Sequence, residues 1–190
     1  MQKALIVIDV QNDFGIGGAL ECEGLNEIVP KINELMEKGG YDLIVGTQDW
    51  HPANHVEFEK WGVHCLQNSR GSLFIWNLKY ELFNVVLRKG MSKDYASYSA
   101  FRNENEEPTG LYGILESRIF DEIHICGVAT DVCVWATRND CCDLFPELDR
   151  KIFVISDCCV GTSEEKHWEY LSDMRFHKTM SEVLNETMSD

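Results

Sequence analysis

Ala4-Leu-Ile-Val-Ile8, closed by Asp9, is a continuous apolar run rich in β-branched residues. It reads as a strand buried on both faces, because a strand with one wet face alternates instead. Working outward, Leu25, Ile28, Val29, Ile32, Leu35 and Met36 recur at helical spacing. Asn26 is the candidate cap of that helix, Pro30 falls in its first turn, and Gly39-Gly40 stops it. Leu43-Ile-Val45 is a second buried strand, ending near Asp49, and Val85-Val-Leu87 a third, running into Lys89. Glu122-Ile-His-Ile-Cys126 alternates into a fourth, Lys151-Ile-Phe-Val-Ile155 is a fifth, and a short one is expected near 176–180. Leu111, Ile114 and Leu115 suggest a short helix, residues 131–145 a longer one, and Ser163 caps a last helix. Strand and helix thus alternate, which predicts an α/β fold. The expected core is a doubly wound, mainly parallel sheet of five or six strands with helices on both faces. Residues 1–190 read as a single domain with loop insertions at about 50–82 and 91–109.

Composition narrows the function classes. Hydrophobic content of 44% with 26% charged residues is that of an ordinary globular chain. At this length folding buries roughly 70% of the unfolded chain's surface, so no staples are needed. A net charge of −15 would repel phosphate backbones and anionic lipids, so neither nucleic acid nor membrane is an expected partner. No run approaches the ~20 apolar residues of a membrane span, and the N-terminus reads as a strand, not a signal peptide. Of eight cysteines, Cys126, Cys158 and Cys159 sit in apolar runs, where cysteine acts as a small hydrophobe. A reduced, cytoplasmic protein is the simplest reading.

Ligands of such sheets bind beyond the carboxyl ends of the strands. Asp9, Asp49 and Lys89 stand there, and Cys133 follows one loop after strand four. Cys133 should occupy the first turn of a helix, where free N–H groups and the helix dipole favour a thiolate. The N–H groups of Ala129 and Cys133 would then hold the oxyanion of a tetrahedral intermediate. A buried structural cysteine is the competing reading. If the three side chains meet, Asp9 takes the thiol proton and returns it to the leaving amine, while Lys89 supports the charged forms.

Asp49-Trp-His51, with His64 downstream, suits a divalent metal with open positions. Solvated loop residues are the alternative. Paired CxxC and HExxH patterns are absent. Gly15-Ile-Gly-Gly18 lacks the third glycine of a dinucleotide loop, since position 20 is leucine. The pairs Cys141-Cys142 and Cys158-Cys159 point in different directions and make poor zinc sites. His167 and His177 read as ordinary helix and surface positions.

Five segments in order resemble the nicotinamidases (pyrazinamidases) of the isochorismatase-like cysteine hydrolases. They are Asp9-Val-Gln-Asn-Asp-Phe14, Gln48-Asp-Trp-His-Pro52, Trp61-Gly-Val-His64-Cys, Arg88-Lys-Gly90 with Ser97-Tyr-Ser99, and Gly127-Val-Ala-Thr-Asp-Val-Cys133. The resemblance extends to about Gly161. It implies an isochorismatase-like hydrolase fold, a catalytic triad at Asp9, Lys89 and Cys133, and a cis peptide joining Val128 to Ala129. It also implies one divalent metal (zinc, with iron or manganese as alternatives) held by Asp49, His51 and His64. The ion would bind the pyridine nitrogen of the substrate, and Phe14, Trp61 and Tyr98 would wall the pocket. The implied reaction converts nicotinamide, or a related pyridine or pyrazine carboxamide, to the acid and ammonia through a Cys133 thioester, as in NAD salvage.

Glu57, in His55-Val-Glu-Phe58, departs from the family's usual serine and is read as a fourth metal ligand. Asn139–Arg150 and the C-terminus also depart, which leaves homo-oligomer contacts open. The alternatives are another isochorismatase-like amidase acting on a different small amide, and a non-catalytic metal-binding relative.

Overall fold

The computed structural model describes residues 1–174 and 176–189. Among these described residues, six strands form one parallel sheet in the order β3-β2-β1-β4-β5-β6. They are β1 (Lys3–Ile8), β2 (Leu43–Asp49), β3 (Val85–Lys89), β4 (Glu122–Val128), β5 (Ile152–Val160) and β6 (His177–Lys178). Every residue of β1 and β2 is buried, which is why the first strand carries no alternation. The Glu122–Cys126 alternation does not mark a wet face. His124 is buried, with Nδ1 2.7 Å from the Tyr41 hydroxyl and Nε2 3.0 Å from Glu122.

Helix α1 (Leu25–Lys38) buries Leu25, Ile28, Val29, Ile32, Leu35 and Met36 as one stripe. Each such side chain contributes roughly 1.5–3 kcal/mol when fully buried. Its start differs from the sequence expectation: Gly24, in the left-handed region (φ 91°), is the N-cap, while Asn26 Oδ1 accepts the Ile16 N–H at 2.7 Å. Asn26 therefore closes the preceding loop and does not cap. Pro30 is the sixth helical residue, one turn later than expected.

The short helices α2 (Phe58–Trp61) and α3 (Leu111–Glu116) precede α4 (Trp135–Leu144), α5 (Glu164–Asp173) and α6 (Met180–Ser189). Helix α1 packs on α6, and Tyr112 of α3 stacks on Phe145 at the end of α4, so both faces of the sheet are covered. Ser163 does cap α5, accepting the Lys166 N–H, but α5 is not the last helix. Helix α6 follows the short β6. Its start carries a reciprocal cap: Thr179 Oγ1 accepts the Glu182 N–H, and Glu182 Oε2 accepts the Thr179 N–H.

Among the described residues no helix is long and apolar enough to cross a membrane. All eight cysteines are free thiols.

Candidate active site

The strand order switches direction between β1 and β4, and a crevice opens beyond the carboxyl ends there. Asp9 follows β1. Asp49 and Lys89 are register partners closing β2 and β3. Cys133 lies in a single wide turn, Thr130–Val134, between β4 and α4. Gly127 makes this junction possible: at φ 116° it sits against the backbone of Ile8, where a Cβ would collide. The Val128–Ala129 peptide that follows is cis.

Lys89 gathers the cluster. Its ammonium donates to Asp49 Oδ1 at 2.5 Å, to the Ser97 carbonyl at 2.9 Å and to Cys133 Sγ at 3.4 Å. Those three partners use its three protons. Asp9 Oδ2 lies 2.9 Å from the same nitrogen yet receives no aligned hydrogen bond, so it is ion-paired with a lone pair to spare. The other oxygen, Asp9 Oδ1, accepts the Thr47 hydroxyl at 2.7 Å, and the Asp9 N–H donates back to that hydroxyl at 3.2 Å. Oxygens of Asp9 and Asp49 and the Cys133 sulfur all lie within 4.8 Å of one another. Asp9 adopts φ 51°, a region a non-glycine residue enters at a cost of order 1–3 kcal/mol.

Burial and charge set the protonation states. Burial lifts the Asp9 carboxyl from 3.8 to about 6, against the opposing pull of Lys89. Burial also acts on Asp49, but Lys89 and His51 outweigh it and hold this carboxyl well below the usual range. Lys89 stays charged because Asp49 and Asp9 overcome its own desolvation. Burial pushes the Cys133 thiol well up, and the neighbouring carboxylates reinforce that against Lys89. Burial thus works against the thiolate that a helix start alone suggests. Asp9 is the adjacent carboxylate with a free lone pair.

The second cluster is Asp49, His51 and His64, buried, with one candidate ligand atom from each within 4.8 Å of the others. His51 Nδ1 lies 3.1 Å from the Gly90 carbonyl, and His64 Nδ1 lies 2.8 Å from the Gly62 carbonyl. Backbone carbonyls require N–H at those positions, which leaves both Nε2 lone pairs bare. His51 Nε2 is buried without a hydrogen-bond partner, 3.6 Å from Asp49 Oδ2. An orphaned imidazole nitrogen beside a carboxylate is what a divalent cation would satisfy, so the residues fit the group. Gly90 (φ 64°) lies against the His51 ring, leaving no room for a side chain.

Glu57 groups instead with His51 and His55. Its Oε1 accepts the Ser97 N–H at 2.9 Å. His55 stacks on His51 with centroids 4.1 Å apart, and its own Nε2 is also buried and unpartnered.

Both clusters open into a cavity of about 220 Å³. That is below the ~300–1,000 Å³ of pockets for drug-sized ligands and suits a single-ring molecule. Phe14, Trp61 and Tyr98 line it, together with Val128, Ala129 and Cys133 and the metal-type residues Asp49, Glu57 and His64. Trp61 Nε1 donates to the Tyr98 hydroxyl at 3.3 Å, which joins two of the aromatic walls. Trp61 and His64 come from the 50–82 loop and Tyr98 from the 91–109 loop.

Several contributors escaped the sequence reading. Gln11 Nε2 donates to the Asp49 carbonyl, and the Asp49 N–H donates to Gln11 Oε1, both at 2.8 Å. Thr47 and the pocket residues Leu20, Cys22 and Thr162 carry no sequence signal, while Ser97 and Val132 lie in segments quoted above without a role of their own. Gln11 lies inside the quoted Asp9–Phe14 segment, and Thr47 precedes Asp49 by two, so both share a strand end with a named residue. His167 is not an ordinary position: it is buried and bonded to Thr130. His177 is exposed as expected.

A family model described as the isochorismatase domain matches residues 3–186. A nicotinamidase of Acinetobacter baylyi is 36% identical over 177 residues, spanning 82% of this chain and 80% of that protein. The crystal structure of PnC1 from L. infantum in complex with nicotinate matches with a TM-score of 0.87 and 30% identity, covering 95% of this chain and 93% of that one. The pyrazinamidase of Pyrococcus horikoshii in complex with zinc matches with a TM-score of 0.80 and 35% identity, over 93% and 98% of the two chains.

Proposed function

Because the chain belongs to the isochorismatase family, we propose that it hydrolyses nicotinamide to nicotinate and ammonia with Cys133 as nucleophile. The observation that carries this is the Lys89 ammonium within 3.4 Å of a thiol and 2.9 Å of an aspartate that has a lone pair free. The similarity to nicotinamidases, and to a structure solved with nicotinate, supports the substrate. Related pyridine and pyrazine carboxamides would fit the same cavity.

The reaction follows from the protonation states. Asp9 removes the Cys133 S–H proton as the thiolate attacks the carboxamide carbon, forming the C–S bond and an oxyanion. The amides of Ala129 and Cys133, both pocket-lining residues, are the candidate donors to that oxygen. Lys89 offsets the negative charge moving between sulfur and Asp9. Protonated Asp9 then gives its proton to the amide nitrogen, the C–N bond breaks, and ammonia leaves. Water, deprotonated by Asp9, attacks the thioester. The C–S bond breaks, the sulfur recovers the proton, and nicotinate departs. An unactivated amide demands much of positioning, which the aromatic walls Phe14, Trp61 and Tyr98 supply by holding a flat ring.

Asp49, His51 and His64 would hold one divalent ion, and Glu57, which groups with His51 and lines the same cavity, is the proposed fourth ligand. Zinc is the proposed occupant, since carboxylate and imidazole accept zinc, iron or manganese and the similar P. horikoshii enzyme was solved with zinc. Bound there, such an ion supplies an open Lewis-acid position for the ring nitrogen. The test is ammonia release from nicotinamide by the purified protein. Release abolished in Cys133→Ala supports the reading; a wild type inert toward nicotinamide overturns it.

A further inference from the structure

The nucleophile turn is held from outside by the start of α5. Thr130 opens the turn and is fully buried, with Oγ1 2.8 Å from Nδ1 of His167. The next residue, Asp131, accepts hydrogen bonds from the Thr162 N–H at 2.8 Å and the Thr162 hydroxyl at 2.5 Å. Gly161 lets the chain fold tightly against the start of α5: a Cβ there would lie 2.8 Å from the His167 nitrogen and 2.9 Å from the Ser163 carbonyl oxygen. Two consecutive residues of the turn are thus pinned to residues 161–167, a segment outside the triad, the metal-type cluster and the aromatic walls.

Energetics argue against packing as the reason for the buried hydroxyl–imidazole pair. A net gain of about 1 kcal/mol is all such a pair contributes, and apolar groups of similar shape do as well. What a hydrogen bond adds is direction. Thr130 stands between Ala129 and Cys133, the two residues whose amides face the developing oxyanion in the proposed mechanism. Ala129 is further bound within the turn, its carbonyl accepting the N–H groups of Val132 at 3.0 Å and Val134 at 3.1 Å. A shift at Thr130 is therefore transmitted to both donors, and misplacement by ~1 Å can cost on the order of 100-fold in rate.

We infer that His167 is a positioning residue for the hydrolysis, fixing through Thr130 the placement of the Ala129 and Cys133 amides. This rests on the proposed function. The test compares wild type with His167→Phe, His167→Asn and the near-isosteric Thr130→Val. Each is assayed for nicotinamide turnover and for inhibition by pyridine-3-carboxaldehyde. The Cys133 thiol adds across the aldehyde C=O, its proton passing to the oxygen, which then occupies the oxyanion position. His167→Phe and Thr130→Val are expected to lower kcat on the order of 10- to 100-fold with KM within twofold. Aldehyde affinity should weaken in parallel, and His167→Asn, whose amide stands where Nδ1 stood, should recover most of both. A kcat within twofold of wild type in Thr130→Val overturns the inference, as does a kcat loss that leaves aldehyde affinity untouched. Should His167→Phe fail to fold, Thr130→Val carries the test alone. A wild type inert toward nicotinamide ends the functional reading, and this inference with it, whereas an active wild type with indifferent variants ends the inference only.

Discussion

Asp49 and Lys89 face each other at the ends of adjacent parallel strands, carboxylate and ammonium 2.5 Å apart and both side chains buried. This pair joins the two halves of the site. Asp49 presents its other oxygen to His51, while Lys89 reaches Asp9 and the sulfur of Cys133.

Removing the cation should therefore harm fold and chemistry together. Lys89→Met leaves two carboxylates buried without their partner, and breaking a buried pair costs roughly 3–5 kcal/mol. Turnover should fall by on the order of 100- to 10,000-fold, the scale of lost acid–base support. Denaturant unfolding and steady-state rates read the two effects. A stability loss under about 1 kcal/mol would show that the carboxylates do not depend on Lys89.

Asp9 should be costly to the fold when charged. Its pKa is raised from 3.8 to about 6 by burial, so the folded state binds the proton more tightly than the unfolded chain. The penalty is absent below about pH 3.8, grows to pH 6 and is complete above it. Asp9→Asn should thus raise the unfolding midpoint at pH 7, lose that gain near pH 4, and abolish activity. Equal effects at both pH values would contradict the assignment.

The acid limb of kcat/KM should lie near pH 6, where Asp9 gains its proton and ceases to act as base. The Thr47 hydroxyl favours the ionised form. Thr47→Val should move the limb to higher pH while the fold persists. An unmoved limb would assign it to another group.

Chelation should remove one divalent ion per chain and turnover with it, both restored by zinc. The ion should also raise the unfolding temperature, as any ligand of the native state does. Elemental analysis of Glu57→Gln tests the fourth ligand. Reduced metal affinity supports Glu57; unchanged affinity and coordination remove it from the set.

The sheet was legible in the sequence because β1 and β2 are buried on both faces, and continuous β-branched runs have few other uses. The candidate site was legible where a charged residue ends such a run, as at Asp9, Asp49 and Lys89. Helix α6 was missed although Met180, Val183, Leu184 and Met188 stand at helical spacing; the stripe is short and only Val183 of it is fully buried. The Thr179-Met-Ser-Glu182 capping box was the second signal. Thr47, Gln11, Ser97 and His167 were missed for a different reason. Each acts through a hydrogen bond to a residue 8 to 38 positions away, and residue type alone does not reveal a distant partner.

The most direct measurement is an acid quench of the enzyme during turnover of nicotinamide, followed by mass spectrometry of its peptides. One nicotinoyl group should appear on the peptide carrying Cys133, on none of the seven other cysteines, and not at all in Cys133→Ala. Ammonia release continuing in Cys133→Ala, or an acyl group on a different thiol, would contradict the account.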